Sequence, residues 1–128
     1  MITVVAALII KNNKILIAKR STGDPNNLNK WEFPSGKVES NEEEFKAIER
    51  EINEEFELII KANEFVINSV CEYPSKTIDL RLYKCDYISG TFNLHDHSEY
   101  KYVSRNEILN YDLAEADIPL AKYVSEMN

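Results

Sequence analysis

Between Gly36 and Leu58 the chain reads GKVESNEEEFKAIEREINEEFEL, and here its acidic side chains are dense enough to do chemistry. Phe45, Ile48, Ile52 and Phe56 recur at spacings of three and four, which predicts a helix over about residues 41–56 with one buried stripe. Ser40 or Asn41 is placed to cap it, with Glu43 or Glu44 as the capping-box partner. Glu51, Glu54, Glu55 and Glu57 then crowd its C-terminal turns, where the macrodipole disfavours negative charge. At about 100° per residue, Glu51 and Glu55 stack one above the other beside the stripe, and Glu54 lies a step round the helix. Exposed, such a cluster repels itself by a few tenths of a kcal/mol per pair. Partly buried, it requires a proton or a cation, and an all-carboxylate set suits a hard ion such as Mg²⁺ or Mn²⁺. A solvated acidic face is the other reading of the same residues.

The wider spacing decides between them. Gly36, Glu42, Arg50, Glu51, Ile52, Glu54, Glu55 and Leu58 follow the pattern G-x5-E-x7-R-E-U-x-E-E-x-G-U, with U apolar, so the segment resembles a Nudix box. The departure is Glu57, where the family has glycine to end the helix in a left-handed turn. A glutamate held there costs on the order of 1 kcal/mol. The resemblance continues outside the box. NKWEFPSGKVE, the strand end IAKR, the hairpin EYPSKTIDL and the tail YDLAEADIPL are similar to the MutT-like and CTP pyrophosphohydrolase-like branch.

The resemblance implies a divalent-metal enzyme that hydrolyses a nucleoside triphosphate to a monophosphate and pyrophosphate, with Mg²⁺ or Mn²⁺ as cofactor. Cytidine-type nucleotides and oxidised guanine nucleotides such as 8-oxo-dGTP are the two substrate classes it suggests. Carried over residue by residue, Glu51, Glu54 and Glu55 are metal ligands, helped by the backbone carbonyl of Ser35 or Gly36. Glu42 and Arg50 are supports, Arg50 orienting a glutamate of the cluster. Asp96 is the expected carboxylate from outside the box, completing the metal site or assisting the attacking water, with Glu99 in reserve. Arg20 and Lys37 are expected to contact substrate, Phe33 to line the base pocket and Asp117 to read the base edge. MutT has asparagine at the Asp117 position. An ionised aspartate only accepts hydrogen bonds, as from the amino group of cytosine or guanine. Asp117 is also read as the N-cap of the last helix. Two alternatives remain: a Nudix hydrolase of ADP-ribose, a nucleotide sugar or a dinucleoside polyphosphate, and a non-hydrolytic nucleotide sensor. A sensor is expected to have lost ligand glutamates, and this chain keeps all of them.

The rest of the chain must position these groups. At 128 residues it is expected to form one domain, 1–128, with a real core. A net charge of −7 argues against a nucleic-acid partner, which needs a basic footprint. No stretch reaches the roughly 20 apolar residues of a membrane span. MITVVAALII lacks a basic leader and a cleavage site and is read as a core strand, which makes the cytoplasm the expected location. The partner expected is a small nucleotide, and the chain a monomer or homodimer. Cys71 and Cys85 fall in predicted strands and are read as buried thiols rather than a disulfide.

In order, the sequence predicts strands over 2–10 and 15–18 joined at Lys11–Lys14, then a polar loop over 21–30 that is either a lid or a connection. Trp31 to Phe33 is a short strand ended by Pro34. After the helix, Leu58–Ile60 packs on the core, and 65–73 and 77–87 form strands joined at Pro74-Ser75. A shift in apolar phase suggests a bulge near Leu82. Thr91–Leu94 and Tyr100–Val103 are further extended segments flanking the loop His95–Glu99, whose H-x-H pair lacks a third soft ligand. Ser104–Glu107 is a capping box for a short helix, and a last helix runs from Asp117 to about 126 with Leu120, Tyr123 and Val124 on its apolar face. Strands, helix, strands, helices is an α+β order, here an α/β/α sandwich around a mixed β-sheet, the architecture the Nudix resemblance also implies.

Overall fold

The computed structural model describes residues 1–127. Seven strands appear: β1 (Ile2–Lys11), β2 (Lys14–Arg20), β3 (Trp31–Glu32), β4 (Ser35–Lys37), β5 (Leu58–Tyr73), β6 (Lys76–Gly90) and β7 (His97–Val103). Two α-helices join them, α1 (Glu44–Phe56) and α2 (Asp117–Ser125), with a short 3-10 turn at Ile108–Asn110. The strands lie in the order β3-β2-β1-β6-β5, with β4 paired to β1 and β7 paired to β2. β1 and β6 run parallel, from Ile2 opposite Ile78 to Ile9 opposite Cys85, while the other pairings are antiparallel. The sheet is therefore mixed.

Side chains alternate across a strand, and β1 supplies both faces of this sheet. Ala6 and Leu8 join the cluster under α2, which contributes Leu120, Ala121 and Val124. Val5, Ala7 and Ile9 join the cluster under α1, which contributes Ala47, Ile48, Ile52 and Phe56. A strand covered twice must be apolar at every position, and this explains the opening run. The result is the expected α/β/α sandwich. Each fully buried Ile or Phe of the α1 face contributes about 1.5–3 kcal/mol. Cys71 and Cys85 are buried and unpaired among the described residues.

Several local expectations change. α1 begins at Glu44, not 41, and its N-cap Glu43 makes no side-chain capping bond. Asn41 is left-handed (φ 64°). Residues 39–43 instead form a turn in which the Glu39 N–H donates to Glu42 Oε1, and Glu42 is drawn to Arg50. Phe45 leaves the buried stripe, which Ala47 enters; Phe45 is 42% exposed and rests edge-on against Tyr83. β5 is one continuous strand from Leu58, because bulges at three register shifts break its period of two without ending its pairing. The bulge expected near Leu82 lies opposite it, between Phe65 and Ile67 on β5. β6 itself runs evenly along β1. Its apparent phase slip is burial on both faces, Leu80 and Leu82 toward α2 and Tyr83 and Cys85 toward α1.

Residues 91–94 are not a strand, and β7 starts earlier than expected, at His97. The Ser104 hydroxyl donates to Glu107 Oε1 at 2.7 Å, but the chain then makes only the 3-10 turn rather than a helix. Asp117 is the first residue of α2 rather than its N-cap, which is Ala116, and Tyr123 is 44% exposed. The Asp117 carboxylate is engaged outside the helix, by the Phe33 N–H.

Glu57 ends α1 in the left-handed region (φ 58°, ψ 34°), with its N–H bonded to the Asn53 carbonyl, so the turn survives without glycine. Its side chain accepts from Asn93 Nδ2 at 2.7 Å and lies 2.7 Å from His95 Nε2. The backbone reinforces this contact: the Asn93 and His95 N–H groups donate to the Phe56 and Glu55 carbonyls. Glu57 thereby ties the 91–96 loop to the end of α1. Glu57→Ala keeps the left-handed strain and loses both side-chain contacts, so it should lower stability by about 0.5–1 kcal/mol. Glu57→Gly loses the contacts but also relieves strain of about 1 kcal/mol, and should be the more stable of the two variants. Urea unfolding measures this; an alanine variant as stable as wild type would show that the contacts contribute nothing.

Candidate active site

The acidic face of α1 looks across a short gap at β4. β4 pairs with β1, Gly36 opposite Val5, and this holds the backbone of residue 36 against Glu51. A Cβ added at Gly36 would lie 2.1 Å from the Glu51 Cδ, so only glycine leaves room for that carboxyl group. Glu51 and Glu55 stand here together with Arg20, Glu32, Ser35, Gly36 and Lys37, around a cleft of about 430 Å³. Its far wall is made by the 21–30 loop through Gly23, Asp24 and Asn27, and by Lys76 and Ile78 at the start of β6. Lys76 Nζ is 3.1 Å from Asp24 Oδ2, so that loop is tied to the β5–β6 hairpin over the cleft.

Arg50 organises the acidic cluster. Its Nε and Nη2 donate to the two Glu42 oxygens at 2.7 and 2.9 Å, and its Nη1 donates to Glu51 at 3.0 Å and Glu54 at 3.1 Å. Nη2 also donates to the Lys37 carbonyl, tying α1 to β4. The bonds to Arg50, and the Glu39 N–H, lower the Glu42 carboxyl to about 2. Glu54 is mostly exposed. Burial raises the Glu51 carboxyl, with Arg50 opposing and Glu54 and Glu39 adding to the rise. Burial is also the main cause lifting Glu55, to about 8; Arg20 opposes it, and Glu51, Asp96 and Glu32 add to it. Glu55 Oε2 is buried and has no hydrogen-bond partner among the described residues.

Asp96 sits at the end of the loop tied down by Glu57. Its side chain accepts from the Thr22 hydroxyl at 3.2 Å and its carbonyl from the Ser21 N–H. Its field reaches both Glu55 and Arg20. Glu99 is exposed on β7. Phe33 and Asp117 do not form part of the cleft wall. Phe33 has no exposed surface and belongs to the core under α2. Its N–H donates to Asp117 Oδ2 at 2.9 Å, and Asp117 is 4% exposed.

An acidic helix thus faces a glycine strand, and Arg50 binds Glu42, Glu51 and Glu54. Residues 1–124 match the NUDIX domain model. This chain belongs to the Nudix family. It is similar to the Escherichia coli K12 CTP pyrophosphohydrolase, 39% identical over 94% of this chain and 88% of that one. A Mycobacterium tuberculosis H37Rv protein provisionally named 8-oxo-dGTP diphosphatase 2 is 29% identical over 89% of this chain and 81% of its own length. Among solved structures, the MutT protein of Methanosarcina mazei Go1 superposes with a TM-score of 0.86 at 25% identity, covering 96% of this chain and 91% of that one.

Nudix hydrolases work with a divalent metal, and the residues present fit one. The donors are all oxygen, the choice of a hard cation. A buried oxygen on Glu55 with no partner among the described residues, in a carboxyl group that burial and then the nearby carboxylates push upward, is a site that wants positive charge. Among the described residues, however, no three His, Cys, Asp or Glu side chains stand close enough together to cage an ion as they are. Arg50 holds Glu51 and Glu54 in ion pairs. No helix among the described residues is long and apolar enough to cross a membrane.

The sequence did not single out Glu32, Asp24, Asn27 or Lys76 for the cleft. Glu32 had a signal, since a carboxylate inside the buried segment Trp31–Pro34 requires a partner. Lys76 had none, because nothing in a hairpin's sequence says which loop it faces.

Asp117 permits a test that needs no substrate. Burial, with the Glu32 charge next, raises its carboxyl well above the ordinary value, against the Phe33 N–H and Arg20. A carboxyl raised on folding stabilises fully below the unfolded value, near 3.9, and this contribution is lost as pH rises toward the folded one. Asp117→Asn keeps an oxygen for the Phe33 N–H but has no such slope. Its Tm should gain on wild type as pH rises from 4 to 8. A gap independent of pH would show that Asp117 ionises alike in both states.

Proposed function

We propose that this Nudix protein hydrolyses nucleoside triphosphates to the monophosphate and pyrophosphate, with cytidine-type nucleotides preferred. The carrying observation is the cleft between α1 and Gly36, where an unpartnered Glu55 oxygen, Glu51 and Arg20 meet. The 39% identity to a CTP pyrophosphohydrolase supports the choice of base. The relative named for 8-oxo-dGTP supports oxidised guanine nucleotides as the second reading.

In this reading Glu51, Glu54 and Glu55, with the Gly36 carbonyl, hold the divalent ion, Mg²⁺ or Mn²⁺. When bound, the ion neutralises phosphate charge and makes water a better nucleophile. The protein's own groups do the rest. Gly36 lets the backbone approach the ligand without a side chain between. Arg20 and Lys37 bring positive charge to the phosphates or sugar. Lys76 becomes available when substrate displaces Asp24. Asp96, held by Thr22 next to the field of Glu55, takes a proton from the attacking water or orients it. Phe33 and Asp117 lie outside the cleft wall, and they reach the base only if the residues covering them move.

The test is a panel of canonical NTPs and dNTPs together with 8-oxo-dGTP, assayed with Mg²⁺ or Mn²⁺ and followed by chromatography of products. Metal-dependent release of pyrophosphate with kcat/KM highest for CTP or dCTP is expected. Highest kcat/KM for 8-oxo-dGTP selects the second reading, and no turnover of any triphosphate overturns both.

A further inference from the structure

A chain of buried polar groups runs from the end of α1 to the cleft, and its innermost member, His97, has no part in the proposed hydrolysis. The His97 side chain has no exposed surface. Its ring stacks on Phe56, with centroids 4.9 Å apart and planes 26° from parallel. Its Nε2 lies 2.9 Å from Glu32 Oε2, and since an ionised carboxylate only accepts, Nε2–H is the donor. Glu32 in turn receives Arg20 Nε at 3.2 Å and Nη2 at 2.9 Å. The register explains why these three meet. Arg20 lies opposite His97 across the only shift in the β2–β7 ladder among the described residues, between Lys19 and Arg20. β3 brings Glu32 alongside, with Ala18 opposite Glu32.

We propose that His97 is a positioning residue for substrate recognition, fixing the Arg20 guanidinium in the cleft through Glu32. This rests on the reading that Arg20 contacts the nucleotide. Two observations carry it. First, His97 is a poor residue for simple filling: its Nδ1 is buried with no hydrogen-bond partner among the described residues, a cost that phenylalanine or leucine at the same place would not incur. The Nε2 bond to Glu32 is the contact that offsets it. Second, a buried carboxylate–guanidinium pair holds one geometry only when the remaining oxygen sites are also satisfied. The Glu32 side chain is 7% exposed, so water is a poor substitute for His97. Without the imidazole, Glu32 is free to follow the guanidinium to other rotamers, and Arg20 leaves the position that faces Glu55.

The experiment compares His97→Ala, His97→Gln and wild type in two ways. Gln retains an N–H able to reach Glu32; Ala retains none. In the first, NMR of arginine-labelled protein, with the Arg20 Nε–H assigned from an Arg20→Lys variant, needs no turnover at all. A slowly exchanging Arg20 signal is expected in wild type and His97→Gln, and its loss in His97→Ala. In the second, steady-state kinetics on the best triphosphate should show KM raised about tenfold in His97→Ala with kcat within threefold. His97→Gln should recover KM to within about threefold. In an Arg20→Ala background, His97→Ala should raise KM no further. An unchanged Arg20 signal in His97→Ala, equal behaviour of Ala and Gln, or KM effects that multiply with Arg20→Ala would overturn the proposal. Absence of triphosphate turnover in wild type would overturn the proposed function and leave the NMR comparison to judge His97 on its own.

Discussion

Glu55→Gln is expected to lower kcat by at least about a hundredfold, the scale of losing a charge-stabilising or acid–base group, while leaving the fold intact. Glutamine has nearly the same shape, and Glu55 Oε2 has no protein hydrogen bond to lose among the described residues. The Tm should therefore hold or rise. What the variant removes is the capacity to carry negative charge on a buried oxygen at the cleft that has no hydrogen-bond partner among the described residues. Glu54→Gln should cost less, because Glu54 is 58% exposed and paired with Arg50. Initial rates with saturating Mg²⁺, beside thermal melts, measure both effects. A Glu55→Gln enzyme within threefold of wild-type kcat would remove Glu55 from the chemistry and shift attention to Asp96. It would also reopen the non-hydrolytic sensor reading if wild type itself binds nucleotides without turnover.

The two-layered cover of the sheet was legible because β1 is apolar at every position from Val4 to Ile10 and α1 carries a stripe at helical spacing. Glu51 and Glu55 were placed correctly beside that stripe by angle alone. The changes to the helix start came from competition that periodicity does not see. Ser40 and Asn41 are available caps in sequence, with Glu43 or Glu44 as partner, but Glu42 takes both the local Glu39 N–H and a bidentate bond from Arg50, two turns on, and the helix starts only at Glu44. Asp117 failed as an N-cap for a similar reason: the Phe33 N–H, eighty-four positions away in sequence, claims its oxygen. Both are side chains with two plausible partners, one local and one distant, and only the fold brings the distant one near.

The cleft's other walls were illegible for a different reason. Arg20 and Gly36 carry a family pattern, but Lys76 and Asp24 meet across a gap between a hairpin and a loop, and no spacing encodes that meeting. His97 looked like half of an exposed H-x-H pair because β7 was expected to begin three residues later. With the strand starting at His97, alternation turns its ring inward onto Phe56 and leaves His95 outside with Glu57. One shifted strand boundary thus separated two histidines into different roles. The departure from glycine at 57 has the same logic. The left-handed turn is a requirement of the fold, and the chain meets it with a side chain that holds the Asp96 loop.

Gly36→Ala should reduce kcat/KM by about a hundredfold through Glu51, the scale reached when a positioning error of about 1 Å enters a reacting site. Gly36 lies in a strand and is not among the residues with positive φ, so its backbone accepts alanine without strain. The obstacle is the Glu51 side chain, whose Cδ, Cγ and Oε2 would lie 2.1, 2.2 and 2.3 Å from the new Cβ. Those atoms belong to a flexible side chain, so the fold gives way by turning Glu51 aside and the Tm should fall only slightly. Activity has no such escape, because the space Glu51 vacates is the space it serves. The double variant Gly36→Ala/Glu51→Gln should then be no worse than Glu51→Gln alone, since two changes acting through one side chain do not add. If the losses multiply instead, the alanine methyl obstructs substrate or a metal-binding carbonyl directly, and Gly36 acts at the site in its own right rather than as the cradle of Glu51.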